Sequence, residues 1–217
     1  MSEYVVKPGD SFAKIVKDAG LGTDWKKIYN SGENAGFRKI CADPDLLVPG
    51  EKCVLPDKKK KEESKPGNSL AKFKVKTGKT QLNVVVIRPD GQPLKNADYE
   101  LTLKGGGGDG TVVKKKTDGS GAVKCDIPLD TEGATLLLEG LELELKIGWL
   151  EPVETVKGVQ ARLRNLNYAL PDVDGNAGPD TPTAAAVAAF QKEHSLGDPE
   201  GEIGSATQKK LKDVYGC

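Results

Sequence analysis

The chain has 217 residues, of which 37% are hydrophobic and 29% are charged, with 26 glycines and 13 prolines. This length and composition predict an ordered, turn-rich protein of two or three small domains and exclude a fibre or a disordered tail. Lys plus Arg and Asp plus Glu both number 32. The chain therefore has no overall positive field that would draw it onto nucleic acid, and we expect no nucleic-acid partner.

The sequence also lacks the signals of membrane proteins. No apolar run approaches the roughly 18 residues of a membrane-spanning helix, and residues 1–6 lack the basic and apolar stretches of a signal peptide. We therefore expect no membrane insertion, and synthesis in the cytoplasm without a signal peptide. A ligand outside the membrane would then be reached after lysis, through a dedicated injection or secretion machine, or with a leader that this sequence lacks.

Residues 1–57 show the pattern of a small α+β domain. Tyr4–Val6 predicts a short strand, and a turn follows that ends at Asp10, the expected cap of a helix. That helix carries apolar residues at helical spacing: Phe12, Ile15, Val16 and Ala19. A second helix is expected at 25–29 and a closing strand at 53–56. The predicted order is strand, helix, helix, strand.

Residues 58–67 are polar and end in proline and glycine, which predicts a charged linker. From 68 to 151 the apolar period changes to two, and strands are expected at Phe73–Lys76, Leu82–Ile87, Tyr99–Leu103 and Leu136–Leu145. This pattern predicts an antiparallel β-sandwich of immunoglobulin-like or prealbumin-like type. The glycine run at 105–110 is interpreted as a mobile hairpin loop, because no Gly-Lys-Ser/Thr and no helix follow it.

Residues 152–217 predict three short helices. The expected inward residues of the first helix are Val156, Val159, Leu163 and Leu166, and those of the second are Ala186, Val187 and Phe190. Thr181-Pro182 predicts the start of the second helix. Ser205 with Gln208 predicts a capping box on the third, with Leu211, Val214 and Tyr215 buried. The predicted fold class is thus multidomain α+β, with a three-helix bundle at the C-terminus.

Catalytic and metal sites are not indicated. There are four cysteines and a single histidine, His194, without a CxxC pair, so no metal site or cofactor is expected. Asp172, Asp174 and Asn176 alternate as in a calcium loop, but Ala177 and Thr183 stand where glycine and glutamate are required, so a turn is favoured. Cys41 and Cys53 either form a disulfide or stay as core thiols, and a chain without a signal peptide favours thiols. We expect the protein not to be an enzyme.

Two motifs in the first domain resemble a LysM domain. They are YVVKPGDSF at 4–12 and DPDLLVPGE at 43–51, with the 25–29 helix and Glu33-Asn34 between them. The resemblance implies a βααβ fold that binds glycans containing N-acetylglucosamine, in a groove between the turn after the first strand and the turn before the last. The groove residues that it implies are Gly9, Asp10, Ser11 and Phe12 on one wall, and Asp45, Leu46, Leu47 and Pro49 on the other.

The C-terminal segment is similar to the helical peptidoglycan-binding domain found beside many wall hydrolases. The motifs are VQARL at 159–163, LNY at 166–168, DGNAG at 174–178, Thr183, and FQ at 190–191. Between the loop glycine and threonine this chain has additional residues, which are expected to reshape the loop facing the ligand. The implied ligand residues are Tyr168, Asp174, Gly175, Gly178, Thr183, Phe190 and Gln191.

These resemblances together predict a non-catalytic protein that binds peptidoglycan through two terminal modules in avidity, and that acts at the cell wall, in the periplasm or on an exported injection particle. The domain order also resembles accessory proteins of type VI secretion or other contractile injection systems. Two alternatives therefore remain open. The chain is either an adaptor or spike-associated part of such a machine, with machine proteins as partners, or the targeting subunit of a lytic toxin whose catalytic part is another chain.

Overall fold

The computed structural model describes residues 1–58 and 78–216. The chain folds into two compact units. The first contains Met1–Asp45 and Pro49–Trp149, and the second contains Leu46–Val48 and Leu150–Cys217. The predicted strand at Phe73–Lys76 and all but the first residue of the predicted linker lie outside the described residues, and the predicted domain boundaries stay predictions.

The N-terminal part of the first unit begins and ends with a strand. Its elements are β1 (Ser2–Val5), α1 (Phe12–Asp18), α2 (Trp25–Tyr29), a 3-10 turn (Gly32–Asn34), α3 (Ala35–Ile40) and β2 (Lys52–Leu55). Strands β1 and β2 pair antiparallel, with Ser2 opposite Leu55 and Val5 opposite Lys52. The predicted strands and two helices are present, and α3 is an additional helix that the sequence pattern did not indicate. The LysM assignment itself stays a prediction.

A cluster of three aromatic rings forms the core of this part. The Phe12 ring, fully buried, lies 5.1 Å from that of Tyr29 and 5.9 Å from that of Phe37 between centroids. Phe37 comes from α3, so the additional helix supplies a core side chain. Asn34 fixes the turn before it, since its buried amide donates to Ile28 O and Val54 O and accepts from Val54 N.

The helix cap was predicted wrongly. Helix α1 is capped by Ser11, whose hydroxyl accepts a hydrogen bond from Lys14 N at 3.3 Å. Asp10 instead folds back into the preceding turn, where it accepts from Lys7 N at 2.8 Å and from the Tyr4 hydroxyl at 3.0 Å. A serine next to the expected aspartate has the same capping chemistry, and only the backbone geometry distinguishes them.

Two antiparallel sheets follow. They contain β3 (Lys79–Val85), β4 (Asp98–Lys104), β5 (Val112–Lys116), β6 (Ala122–Pro128), β7 (Gly133–Leu138) and β8 (Leu141–Lys146). One sheet pairs β3 with β6, and the other has the order β5-β4-β7-β8. Alternate residues of β4, β6 and β7 fill one apolar core. The predicted antiparallel strands are confirmed, while the immunoglobulin-like or prealbumin-like type stays a prediction.

Two turns of this region differ from expectation. The leucine-rich stretch 136–145, which was predicted as one strand, is divided into β7 and β8 by Glu139 and Gly140. Both residues have positive φ and make a tight hairpin. The glycine run forms a 3-10 turn at Gly106–Gly108 between β4 and β5. Gly107 N donates to Asp130 Oδ2 at 2.8 Å, so this loop is tied to the body of the sheets.

The second unit contains α4 (Val156–Asn165), α5 (Pro182–Glu193) and α6 (Ser205–Tyr215). All three helices contribute to one core with Val159, Leu163, Val187, Phe190 and Leu211 at its centre. The Thr181-Pro182 start of α5 is confirmed, since the Thr181 hydroxyl accepts from Ala184 N.

Two expectations for α6 were wrong. Ser205 is the first helical residue rather than the cap, and Gly204 at the cap position makes no side-chain hydrogen bond. The carboxylate of Asp198 caps the helix instead, accepting from Ala206 N at 3.4 Å and from Thr207 N at 2.6 Å. Val214 is 40% exposed, because it lies on the outward side of the last turn of α6.

Candidate functional site

The turn between β1 and α1 is held at both ends. Val6 exchanges two backbone hydrogen bonds with the 50–51 segment, each of 2.9 Å, and Phe12 N donates to Pro44 O at 2.8 Å. The turn at 7–11 therefore lies beside the ends of the 45–49 segment, and both belong to the groove implied by the LysM resemblance.

The predicted residues of the first wall differ in what they expose. Phe12 is fully buried and Asp10 is 7% exposed, so their side chains serve the fold, while Gly9 and Ser11 are partly exposed. Burial and the hydrogen bond to Asp10 raise the pKa of the Tyr4 phenol to about 12, so Tyr4 remains a hydrogen-bond donor. The predicted contribution of Phe12 to a sugar site is limited to its backbone.

The second predicted wall is divided between the two units. Asp45 and Pro49 belong to the first unit, with Asp45 exposed and Pro49 half-buried. Leu46 and Leu47 group with the second unit, and Leu47 is buried. A cavity of about 280 Å³ in the first unit shares no residue with this predicted groove; it is lined by Met1, Lys27, Ile28, Ser31, Glu33, Val54 and Pro56.

In the second unit, a buried glutamine organises the loop before α5. Gln160 of α4 is fully buried, and its Nε2 donates to Asp174 Oδ1 at 2.6 Å, to Asn176 O at 3.2 Å and to Thr183 Oγ1 at 2.8 Å. Its Oε1 accepts from Gly175 N at 2.8 Å. The Thr183 hydroxyl in turn donates to Asn176 O. The amide thus links both sides of the loop to α4.

A second buried glutamine does the same for the loop before α6. Gln191 Nε2 donates to Pro199 O, Glu202 O and Thr207 Oγ1 at 2.8 to 3.2 Å, and its Oε1 accepts from Gly201 N at 2.9 Å. The Thr207 hydroxyl donates to Asp198 Oδ2 at 2.7 Å. The arrangement of glutamine, glycine amide and threonine is the same as in the first loop.

The two loops differ in length between glycine and threonine. Gly204 and Thr207 are separated by two residues, whereas Gly178 and Thr183 are separated by four. In the longer loop Thr181 donates to Gly178 O at 2.7 Å and Asp180 has a φ of 62°. The additional residues that the sequence showed here therefore form the cap of α5.

These contacts change the role of several predicted ligand residues. Thr183, Phe190 and Gln191 are buried and hold the loops from inside, while Asp174, Gly175 and, in part, Gly178 lie at the surface. What this unit can present to a ligand is therefore mostly loop backbone. Gln160, Asp198 and Thr207 were missing from the predicted site. The signal for Gln160 and Thr207 was the repeated order of glutamine, glycine and threonine in the two loops, whereas Asp198 had no such signal.

Tyr168 lies at the edge of the apolar core. Its ring packs edge-on to Phe190 with a centroid distance of 5.5 Å, and its hydroxyl donates to Glu193 Oε2 at 2.7 Å. Burial, followed by the nearby Glu193 carboxylate, raises the pKa of the phenol. The His194 ring also packs edge-on to Phe190, with a centroid distance of 4.5 Å. Tyr168 is half-buried.

The carboxylates of the two loops are held in their charged form. A hydrogen bond from Asn176 N, then one from the Gln160 amide, lowers the pKa of Asp174. The Thr207 hydroxyl and backbone amide lower the pKa of Asp198. In each loop, an ionised carboxylate therefore accepts hydrogen bonds from both backbone and side-chain donors.

Cys41 and Cys53 are both buried, and the thiol form that the sequence favours stays a prediction. Burial raises the pKa of the Cys53 thiol to about 11, so it is protonated and unreactive at neutral pH. Across residues 1–58 and 78–216, no group of three or more His, Cys, Asp or Glu side chains is placed to hold a metal ion. No helix in the same ranges is long and apolar enough to cross a membrane.

The comparison with protein families bears on the second unit. Residues 153–211 match the family model described as "Putative peptidoglycan binding domain". The predicted C-terminal peptidoglycan-binding domain is supported by this match. The matched range begins just before α4 and ends within α6, so it contains both glutamine-held loops. No curated protein and no solved structure matches the chain.

Proposed function

We propose that this protein is a non-catalytic peptidoglycan-binding protein that uses two glycan-binding surfaces of one chain in avidity. The observation that carries the proposal is the family match over 153–211 together with the two loops that Gln160 and Gln191 hold. The first surface is the pair of glycine loops in the second unit. The second is the turn at 7–11 in the N-terminal LysM-like part.

The second unit supports the proposal through its preformed loops. A buried glutamine holds each loop from inside, so the loop backbone is fixed before any ligand arrives. A glycan with acetamido groups and stem peptides offers both donors and acceptors to such a backbone surface. Fixing the loop in advance reduces the entropy that binding would otherwise cost.

The N-terminal turn supports a similar role. Gly9 and Ser11 are partly exposed on a turn that Asp10 holds from inside, and N-acetylglucosamine recognition by the LysM-like part is proposed to use these backbone groups with Asp45 and Pro49. Sites of this kind are shallow and should bind weakly when alone. Joining two of them on one repeating polymer raises overall affinity by about 10² to 10⁴ when geometry permits both to engage.

The test is co-sedimentation of the intact chain with purified sacculi. Gly178→Glu adds bulk and charge to the first loop, at a position where a Cβ atom would lie 3.4 Å from its nearest neighbour. Ser11→Asp adds the same kind of obstacle to the N-terminal turn and keeps a good helix cap. We expect each change to weaken sacculus binding at least tenfold, and the pair to abolish it, as avidity requires.

Gly119→Glu is the matched control, because it places the same side chain in an exposed turn with open space around it. It should bind sacculi like the unaltered chain. If both single variants also bind normally, avidity through these surfaces is wrong. Retention on a spike or sheath protein without retention on sacculi would favour the adaptor alternative. A clearing zone in gels with embedded cell wall would contradict a non-catalytic role.

A further inference from the structure

Trp149 lies against the N-terminal turn, although it comes from the end of the sheet region, three residues after β8. A Cβ atom placed on Gly9 would lie 3.0 Å from Trp149 Nε1, and one on Gly148 would lie 2.8 Å from Gly9 O. Both glycines also have positive φ, of 84° and 80°. The indole therefore reaches the turn because neither glycine carries a side chain.

The indole is also open to solvent. Trp149 is 51% exposed, whereas tryptophan is on average one of the more buried residues. Lys146, itself exposed, places its Nζ 5.2 Å from the ring centroid. A cation at an exposed ring interacts weakly and on a flexible chain, so a ligand can displace it.

Ion pairs within the first unit also join α1 to the sheet region. Lys17 of α1 pairs with Asp130, and Lys14 pairs with Glu132 at 3.6 Å, both on the connection between β6 and β7. The side chains of Lys17 and Asp130 are mostly buried. These ion pairs join α1, the helix that follows the turn, to the connection between β6 and β7, so the turn and the sheet region are linked independently of Trp149.

We propose that Trp149 is a stacking platform for a pyranose ring of the glycan strand and extends the N-terminal sugar site. This inference rests on the proposed function. One face of a pyranose ring presents C–H groups, and covering it with an indole removes apolar surface from water. Tryptophan suits a surface of this kind, because its flat apolar body tolerates water at one edge. The adjacent turn backbone at Gly9 and Ser11 supplies polar partners for the acetamido group of the same sugar.

The first test uses the two tryptophans of the chain as separate reporters. Trp25→Phe leaves Trp149 alone, and Trp149→Phe leaves the half-buried Trp25 of α2. The probes are tetra-N-acetylchitotetraose and peptidoglycan fragments released by a muramidase. The emission of Trp149 should shift to shorter wavelength and saturate with at least one probe, while that of Trp25 should stay unchanged.

The second test measures affinity for the same fragments in the Gly178→Glu background, in which the C-terminal surface is weakened and the N-terminal surface contributes more of the binding. Trp149→Ala should raise the Kd about tenfold, and Trp149→Tyr should restore most of the affinity since it keeps a ring. Leu141→Ala, at a 64% exposed position of β8, is the control and should leave the Kd unchanged. Thermal unfolding shows whether Trp149→Ala is folded; if its melting temperature falls, the emission titration of the Trp25→Phe chain, which keeps Trp149, decides.

The outcomes separate this inference from the function it depends on. An unaltered chain that ignores sacculi and both probes overturns the proposed function and this inference together. A chain that sediments with sacculi while Trp149 emission and the affinity of the Trp149 variants stay unchanged overturns the stacking platform alone. In that case Trp149 only packs the turn.

Discussion

The N-terminal turn and the two C-terminal loops are glycine-containing surfaces that are held from inside in different ways. In the turn, the nearly buried carboxylate of Asp10 accepts from one amide and one phenol. In the loops, the amides of Gln160 and Gln191 both donate and accept, and each joins four groups. A carboxylate accepts only, whereas a glutamine connects donors and acceptors on both sides of a loop.

In the second unit, the residues that define the motif are therefore largely separate from the residues that the loops expose. The most recognisable positions of the C-terminal motif, such as Thr183 and Gln191, are buried. They shape a backbone surface rather than form it with their side chains. We expect changes at these positions to lower stability first and binding as a consequence.

The largest effect should come from removing a loop glutamine. Gln191→Leu leaves two backbone carbonyls, one amide and a hydroxyl without their partner, and we expect the free energy of unfolding to fall by about 3 kcal/mol. Chemical denaturation of the intact chain measures it. Gln208→Leu, at a half-buried glutamine of α6, is the control and should stay within about 0.5 kcal/mol. Equal effects of the two changes would contradict the role of the Gln191 network.

A smaller loss of stability should distinguish Asp10 from Ser11, the two candidate caps of α1. Asp10→Ala removes hydrogen bonds to Lys7 N and Tyr4, and should cost about 2 kcal/mol, because a charged acceptor is lost from a buried place. Ser11→Ala removes only the helix cap, which is worth about 1 kcal/mol. A larger loss for Ser11→Ala than for Asp10→Ala in denaturation experiments would contradict the buried role of Asp10, and no loss for Ser11→Ala would contradict the Ser11 cap.

The smallest effect should be the pH dependence of the second loop. The pKa of Asp198 is lowered by Thr207, so its stabilisation is fully present above the ordinary aspartate value of about 3.9 and is lost as the pH falls through the folded-state value. The chain should therefore be less stable at pH 3 than at pH 6. Asp198→Asn should reduce this difference in unfolding experiments at the two pH values, and an unchanged difference would remove Asp198 as a cause.

Local signals predicted much of the fold. The apolar period and the turn residues predicted the strands β3, β4 and β7 and the helices α4 to α6 to within a few positions of where the structure has them. The Thr181 cap predicted the start of α5. Where two residues with the same local chemistry compete, as Asp10 and Ser11 do, sequence alone does not choose. The hairpin at Glu139 and Gly140 was missed because the leucine-rich stretch 136–145 was interpreted as one strand, although these two residues interrupt it.

The parts that could not be predicted depend on distant partners. Asp198 caps a helix that begins seven positions later, and Gln160 bonds to a carboxylate, a carbonyl and a hydroxyl whose positions only the folded loop fixes. Trp149 lies against Gly9 across 140 positions of the chain, and no local pattern connects them. The candidate sites could thus be located from motifs, while the division into supporting and exposed residues required the structure.

The most direct measurement is an NMR titration of the intact 23.1 kDa chain with muramidase-released peptidoglycan fragments. We expect the backbone amides of the loop segments at 175–178 and 201–204 to shift and saturate together, while the amides of the 118–121 turn stay still. Saturating fragment that leaves both loops unshifted would contradict the claim that these loops are the peptidoglycan-binding surface.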